Sequence, residues 1–150
     1  MPDASAKVLG ANELPNHVYR VELLYRSNSK IYRVATRPED LERVAEVRAT
    51  VLFPFASQLA NVVIAVPFRS AEIPGFDTHW GLRFFSEDST HLLSLYADQW
   101  GFNGKIDAHF VRFEDRSLVL GLRKFFGSFL TYWAPPDEYI RDERNFSKIK

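Results

Sequence analysis

Three strand-like segments, separated only by short turns, constrain the fold of this chain most. They run from Thr78 to Phe85, from His91 to Ala97 and from Lys105 to Phe113. The connecting residues 86–90 and 98–104 are rich in Ser, Asp, Asn and Gly, which favour turns. Because turns this short join antiparallel neighbours, the second half of the chain predicts an antiparallel sheet.

The first half predicts a hairpin followed by a helix. Residues 18–26 alternate between apolar and polar side chains, as a half-buried strand does, and residues 31–35 supply the returning strand. The spacing of Thr36 and Glu39 is that of a capping box. We therefore expect a helix that carries an apolar stripe and ends at Pro54. The stripe consists of Leu41, Val44, Ala45, Val51 and Leu52.

Two further elements complete the predicted order. The continuous apolar run from Leu59 to Phe68 is typical of a central strand covered on both faces. Asp115 can cap a last helix, whose stripe is formed by Leu118, Leu122, Phe125, Phe126 and Phe129. The order β-β-α-β-β-β-β-α predicts an α+β fold, with about six mostly antiparallel strands and helices packed on one face.

Length and composition limit the classes of protein. With 150 residues, 46% of them hydrophobic, the chain predicts a single domain with a loose lead-in at residues 1–16 and a charged tail at residues 134–150. The net charge of zero argues against a DNA-coating protein. There is no cysteine, the longest apolar runs are too short to span a membrane, and the first residues lack the apolar core of a secretory signal. We therefore expect a cytoplasmic protein without a membrane segment.

Sequence motifs give little support to catalysis. The chain has no G-x-G-x-x-G, P-loop, H-E-x-x-H or G-x-S-x-G motif, so we expect no cofactor and lean against an enzyme. Two Asp-x-His patterns, at Asp77–His79 and Asp107–His109, pair a carboxylate with an imidazole. In the predicted register His79 and His109 lie about 10 Å apart across the strands and about 13 Å apart along them. One metal ion cannot bridge them, and no metal site is predicted.

The same register sorts the sheet into a core face and a mixed face. The mixed face carries Arg83, Asp107 and His109 around Leu93 and Leu95, and these three polar residues are the candidates for an acid/base and anion-binding site. The predicted core face consists of Trp80, Leu82, Phe84, Leu92, Tyr96, Ile106, Ala108 and Phe110. A shift of one residue would exchange the two faces.

The predicted N-terminal hairpin carries a strip of arginines. Its outward face holds Arg20, Arg26, Arg33 and Arg37 against the single carboxylate of Glu22. Arginine suits bidentate contacts with carboxylate or phosphate groups. The strip predicts a contact with an acidic surface, although charged side chains also keep a sheet face soluble.

Three functions remain open from the sequence. The first is a small protein-binding module that acts by occupying a partner with an acidic surface, as bacterial immunity proteins and antitoxins do. The second is a small-molecule binder or small enzyme that uses the mixed face. The third is RNA binding on the arginine strip with aromatic stacking, which the zero net charge disfavours.

Overall fold

Antiparallel pairing joins seven strands into one sheet in the computed structural model, which describes residues 14–26 and 35–126. The strands are β1 (Arg20–Tyr25), β2 (Val47–Leu52), β3 (Phe68–Ser70), β4 (Thr78–Phe85), β5 (His91–Asp98), β6 (Asn103–Ile106) and β7 (His109–Phe113). The helices are α1 (Leu14–His17), α2 (Leu41–Val44), α3 (Phe55–Ile64) and α4 (Ser117–Phe125), with a 3₁₀ turn at Pro38–Asp40. The sheet order is β2-β1-β4-β5-β6-β7-β3. The predicted α+β class is confirmed, with one strand more than expected.

The main core lies on one face of the sheet, beneath α1, α3 and α4. Residues of β1 and β4 alternate into it, including Leu23 and Leu82, which are fully buried. The short helix α2 packs on the opposite face instead, where Leu41 contacts a small cluster with Leu24 and Tyr96. No helix within the described ranges has the length and apolar character needed to cross a membrane.

The predicted N-terminal hairpin is wrong. Strand β1 pairs along its whole length with β2 on one side and with β4 on the other, so it has no edge left for residues 31–35. Residues 31–34 lie outside the described part of the chain. Both neighbours bring apolar side chains to the core face of β1, since Leu23 lies between Ala49 and Leu82. Burial of these side chains favours this long-range pairing over the local one.

The helix expected to begin at Thr36 and end at Pro54 forms only as a 3₁₀ turn at Pro38–Asp40 and an α-helix at Leu41–Val44. Beyond Glu46 the chain becomes strand β2, whose side chains alternate between the core and solvent. Val47, Thr50 and Val51 are β-branched and suit a strand, and pairing with β1 overrides the apparent helical stripe.

The apolar run at Leu59–Phe68 is mostly helix rather than a central strand. Residues 59–64 lie in α3, and of the remaining residues only Phe68 lies in a strand. The buried residues of α3 are Ala56, Leu59, Ala60 and Val63. Their spacing of three, one and three residues is that of one helix face, and this signal was present in the sequence.

Register also differs in the second half of the chain. Leu82 pairs with Leu95 and Phe84 with Leu93, and irregularities near Thr78 and Phe85 shift β5 by one residue from the expected alignment. Leu93 and Leu95 therefore lie in the core, whereas Tyr96 lies on the opposite face. Of the other residues assigned to the core face, Leu92 is only half-buried, Ala108 is exposed and Phe110 is half-buried.

The strand expected from Lys105 to Phe113 is a two-stranded hairpin. It turns at Asp107 and Ala108, and Asp107 has a positive φ of 50°. Aspartate tolerates this left-handed conformation better than most residues, which allows the tight turn. The last helix begins at Ser117, with Leu118, Leu122 and Phe126 buried as expected.

The ends of the chain lie mostly outside the described residues. Of the predicted lead-in, residues 14–16 begin α1 instead of forming a loose segment. Residues 1–13, Phe129 and the predicted tail at 134–150 are outside the described part of the chain.

Candidate functional site

The structure does not bring the four arginines of the predicted strip together. Arg20 and Arg26 lie at opposite ends of β1, and Arg33 falls outside the described residues. The guanidinium of Arg20 lies over the Phe85 ring, 4.4 Å from the ring centre. Arg37 is exposed and pairs with Asp40 at 3.0 Å, which raises the pKa of Arg37.

Arg26 does not face solvent as the strip required. It is 2% exposed, and its Nη2 atom donates to Asp77 Oδ2 at 2.7 Å. The same nitrogen lies 2.7 Å from His79 Nε2. Arg26 therefore belongs to a polar cluster, made of the buried residues Arg26, Thr36 and His79 and the half-exposed Asp77, which joins the end of β1 to the start of β4.

Hydrogen bonds in the polar cluster fix the protonation of His79. Because an arginine only donates, His79 Nε2 accepts from Arg26, and His79 Nδ1 donates to the Arg26 carbonyl at 2.7 Å. Burial lowers the pKa of His79, and the charge of Arg26 lowers it further. The ring is therefore neutral at neutral pH.

Asp77 connects the polar cluster to the segment before α2. Its Oδ1 atom accepts the backbone N–H of Thr36 at 2.7 Å, and the Thr36 carbonyl accepts the N–H of Thr78 at 2.8 Å. Burial works to raise the pKa of Asp77, but the Thr36 N–H and the Arg26 charge outweigh it, so the pKa is lowered. The cluster holds chain segments together, and its polar groups are bonded to one another rather than aimed into a pocket.

The residues predicted for a catalytic or ligand-binding mixed face do not converge. Arg83 pairs with Glu42 at 3.2 Å and donates to the Tyr96 hydroxyl at 3.4 Å. Asp107 accepts the backbone N–H of Ser94 at 2.9 Å. His109 is exposed and lines an open pocket of about 570 Å³, whose other lining residues include neither Arg83 nor Asp107. Each of the three side chains therefore lies in a different local setting.

A patch of large exposed apolar side chains lies where β1 begins and β2 ends. It consists of Tyr19, Leu52, Phe53 and Phe55, which are 40%, 52%, 58% and 60% exposed. Tyr19 and Phe53 stack with nearly parallel rings, 6.1 Å apart, and the N–H of Phe53 donates to the Tyr19 carbonyl at 2.7 Å. Cross-strand pairing therefore holds the two rings together, and Leu52 and Phe55 are close to Phe53 in the sequence; we call these four residues the apolar patch.

An apolar groove of about 530 Å³ continues the apolar patch along β2. Its lining residues are Thr50, Val51, Leu52, Phe55, Gln58, Phe125 and Phe126. Val51 and Phe125 are only partly buried against the core, so the core is incompletely covered here by the described residues. A patch of contiguous apolar side chains beside a groove is typical of a contact surface.

Sequence reasoning missed the apolar patch. Leu52 was assigned to the buried stripe of a helix, and Phe53 and Phe55 were not considered. The segment Leu52-Phe53-Pro54-Phe55 nevertheless carried a signal, because three large apolar residues flank a proline where the chain must change direction. Three such side chains at one turn cannot all point to the same core.

Neither a search for metal-binding residues nor comparison with known proteins assigns a function to a site. In residues 14–26 and 35–126, no three His, Asp or Glu side chains are grouped closely enough to hold a metal ion. In comparisons with known proteins, no family model, no curated protein and no solved structure matches the chain.

Proposed function

We propose that this protein is a binding module for another protein and contacts its partner through the apolar patch. The exposed stack of Tyr19 and Phe53, next to Leu52 and Phe55, carries this proposal. Aromatic side chains are enriched at protein interfaces because they bury a large area with few rotatable bonds. The module acts by occupying its partner, as small neutralising proteins of the immunity and antitoxin kind do.

The expected energy of the contact supports a specific interaction. Full burial of one large apolar side chain contributes about 1.5 to 3 kcal/mol. Since the four side chains of the patch are each about half exposed, their complete burial contributes roughly half of that per residue. Three of the four residues are aromatic, the class of side chain that is enriched in the cores of protein interfaces.

Positive charge next to the patch favours an acidic partner. Arg20 lies opposite Leu52 in the pairing of β1 with β2, and Arg48 is exposed on the face of β2 that carries Leu52, whereas Tyr19 and Phe53 occupy the alternate positions. Charges at the edge of an interface mainly increase the rate of association. The acidic partner expected from the arginine strip is thus retained in the proposal, with Arg48 in place of Arg26 and Arg33.

The proposal is tested with matched baits. Wild-type protein, the double variant Tyr19→Ser/Phe53→Ser and the control Phe110→Ser are immobilised and exposed to extracts of the native cells. Phe110 is a half-buried ring on the opposite face of the sheet, so its removal leaves the patch intact. Proteins retained by the wild type are purified and their affinities measured by titration calorimetry.

We expect one partner that binds the wild type and the Phe110→Ser control equally. The double variant should bind it at least about 30-fold more weakly, which corresponds to about 2 kcal/mol. Recovery of the wild-type chain alone, or equal binding of the partner to all three baits, would contradict the proposal.

The other two functions have less support from the geometry. The mixed-face candidates Arg83 and Asp107 are bonded to other protein groups. RNA binding on the arginine strip depended on outward-facing arginines, and Arg26 is buried. Neither function is favoured by a specific contact.

A further inference from the structure

Strand β2 is the outermost strand on its side of the sheet. Within the described ranges it pairs only with β1, and its other edge faces no strand. Such an edge presents unsatisfied backbone N–H and C=O groups that can pair with a further strand.

The register shows which backbone groups of β2 point outward. The N–H of Phe53 donates to the Tyr19 carbonyl of the β1 side. In an antiparallel pair, residues that bond to the neighbour alternate with residues that do not, so Ala49 and Val51 also bond towards β1. The N–H and C=O groups of Arg48, Thr50 and Leu52 therefore point away from the sheet.

The two edge strands of the sheet differ in how they resist further pairing. Strand β3, at the other edge, has only three residues and carries the exposed Arg69. Strand β2 has six residues, and its sequence Val-Arg-Ala-Thr-Val-Leu contains no proline, no lysine and a single charge. Natural edges are usually protected by short length, charge or proline, and β2 is protected only by Arg48.

We propose that β2 pairs antiparallel with β2 of a second copy of this chain, about a two-fold axis at Thr50. In this register Thr50 lies opposite Thr50, and Arg48 lies opposite Leu52. These are the outward-pointing residues, so three pairs exchange about six hydrogen bonds. A two-fold axis at Ala49 would pair Arg48 with Thr50, give about four bonds and leave Leu52 outside the paired segment.

Side chains of β2 are complementary to themselves in the proposed register. The two threonines form a favourable cross-strand pair at the axis, and the aliphatic stem of Arg48 covers the exposed Leu52 of the other copy. The two Arg48 residues are four positions apart along the strands, or about 14 Å, which exceeds the Debye length of about 8 Å in physiological salt. With a net charge of zero, the two copies also do not repel each other as a whole.

On the face of β2 that points to the core, the proposed pairing extends the core. Ala49 and Val51 face the core and are partly buried, and each lies opposite the other residue across the axis. Among the described residues, none fills the apolar groove beside Val51 and Phe125, and in the proposed dimer the second copy lies along this flank. Two seven-stranded sheets thus join into one continuous sheet, and the stacked Tyr19 and Phe53 lie beyond the paired residues.

Sedimentation velocity over a wide range of concentration tests the proposal on the full chain. Thr50→Pro removes an outward N–H and leaves the bonds to β1 in place. Thr50→Lys keeps the backbone but places two ammonium groups opposite each other at the axis. Thr50→Val is the matched control, because it keeps the N–H and the β-branched shape.

We expect the wild type and Thr50→Val to sediment as dimers. Thr50→Pro and Thr50→Lys should dissociate to monomers, with a dimer Kd raised at least about 100-fold. Circular dichroism checks that both variants keep the fold. A monomeric wild type, or a dimer that survives both substitutions, would overturn the proposal.

Amide hydrogen exchange identifies the occupant of the edge. Protection of the Thr50 amide should increase with protein concentration if a second copy covers it. Protection that is independent of concentration, in a monomer, would show that another segment of the same chain covers the edge and would also overturn the proposal.

This inference is tested separately from the proposed function, and in the dimer Leu52 and Arg48 contact the second copy while Tyr19 and Phe53 remain for the partner. Dimer formation is measured with the Thr50 variants in the purified chain, and partner binding with Tyr19→Ser/Phe53→Ser in extracts. A dimer without a partner would contradict only the proposed function, and a partner with a monomeric chain would overturn only the pairing of β2.

Discussion

The two ends of β1 reverse the usual placement of polar and apolar groups. At one end Arg26, an arginine, is 2% exposed and bonded to Asp77 and His79. At the other end Tyr19 and Phe53 are 40% and 58% exposed. The same strand thus buries a charge where it meets the start of β4 and exposes rings where it meets the end of β2.

The difference separates fold-holding interactions from surface that is available for binding. A buried arginine is tolerated when its charge is compensated, and Asp77 and His79 provide partners for the Nη2 atom of Arg26 while the cluster joins three separate chain segments. Exposed rings contribute less to the stability of the folded chain than fully buried ones, because about half of their area remains in water. We therefore expect substitutions at the polar end to affect stability and substitutions at the apolar end to affect association.

The largest effect is expected from Arg26→Met. This change keeps the packing volume but leaves the Nε2 atom of His79 without its donor and removes the Arg26 bond and charge from Asp77, which should lower the free energy of unfolding by about 2 to 3 kcal/mol. The control Arg37→Met removes an exposed pair with Asp40 and should cost no more than about 0.5 kcal/mol. Urea unfolding of the three proteins measures both values. Equal stability of Arg26→Met and wild type would show that the buried charge does not hold the fold.

An intermediate effect is expected from acidification. The folded-state pKa of His79 is lowered from its ordinary value of 6.5, so the unfolded chain binds a proton first. The stability supplied by neutral His79 is complete above pH 6.5 and is lost as the pH falls below it, with a maximum slope of about 1.4 kcal/mol per pH unit. The stability from Asp77 follows at lower pH, because its pKa is lowered as well and it must be protonated.

Unfolding curves between neutral and mildly acidic pH measure this loss, with His79→Gln as the comparison. The glutamine variant cannot gain the proton, so its stability should change less over the same interval. A slope that is unchanged in His79→Gln would assign the acid sensitivity to other groups.

A smaller effect is expected where like charges meet at the surface. Arg69 of β3 lies directly opposite Arg112 of β7, and both are exposed. Like charges in this position repel, so Arg69→Glu should raise the free energy of unfolding by about 0.5 kcal/mol. Arg69→Gln, which removes only the repulsion, should give a smaller gain. A loss of stability in Arg69→Glu at low salt would contradict this assignment.

Local sequence patterns predict the elements that depend on interactions between nearby residues. They predict the strand Thr78–Phe85, the turn that leads to His91 and the helix that begins near Asp115. Turn residues and the apolar stripe of a helix are short-range signals. The helical spacing of Ala56, Leu59, Ala60 and Val63 was also present, although the run of Val and Ile was interpreted as a strand.

Long-range pairing could not be predicted in the same way. Strand β1 does not pair with the residues that follow it in the sequence but with β2 and β4. This pairing is favoured because it buries side chains that are distant from one another in the sequence. One consequence is that Arg26 is buried beside His79 instead of lying on a surface strip. Another is the apolar patch, which exists only because β2 brings Phe53 next to Tyr19.

The most direct test of the account compares the urea unfolding free energy of Phe53→Ser with that of Arg26→Met. Because the Phe53 ring is 58% exposed, Phe53→Ser should lose only about 1 kcal/mol, whereas Arg26→Met should lose about 2 to 3 kcal/mol. A larger loss in Phe53→Ser than in Arg26→Met would contradict the account, because the exposed ring would then be holding the fold.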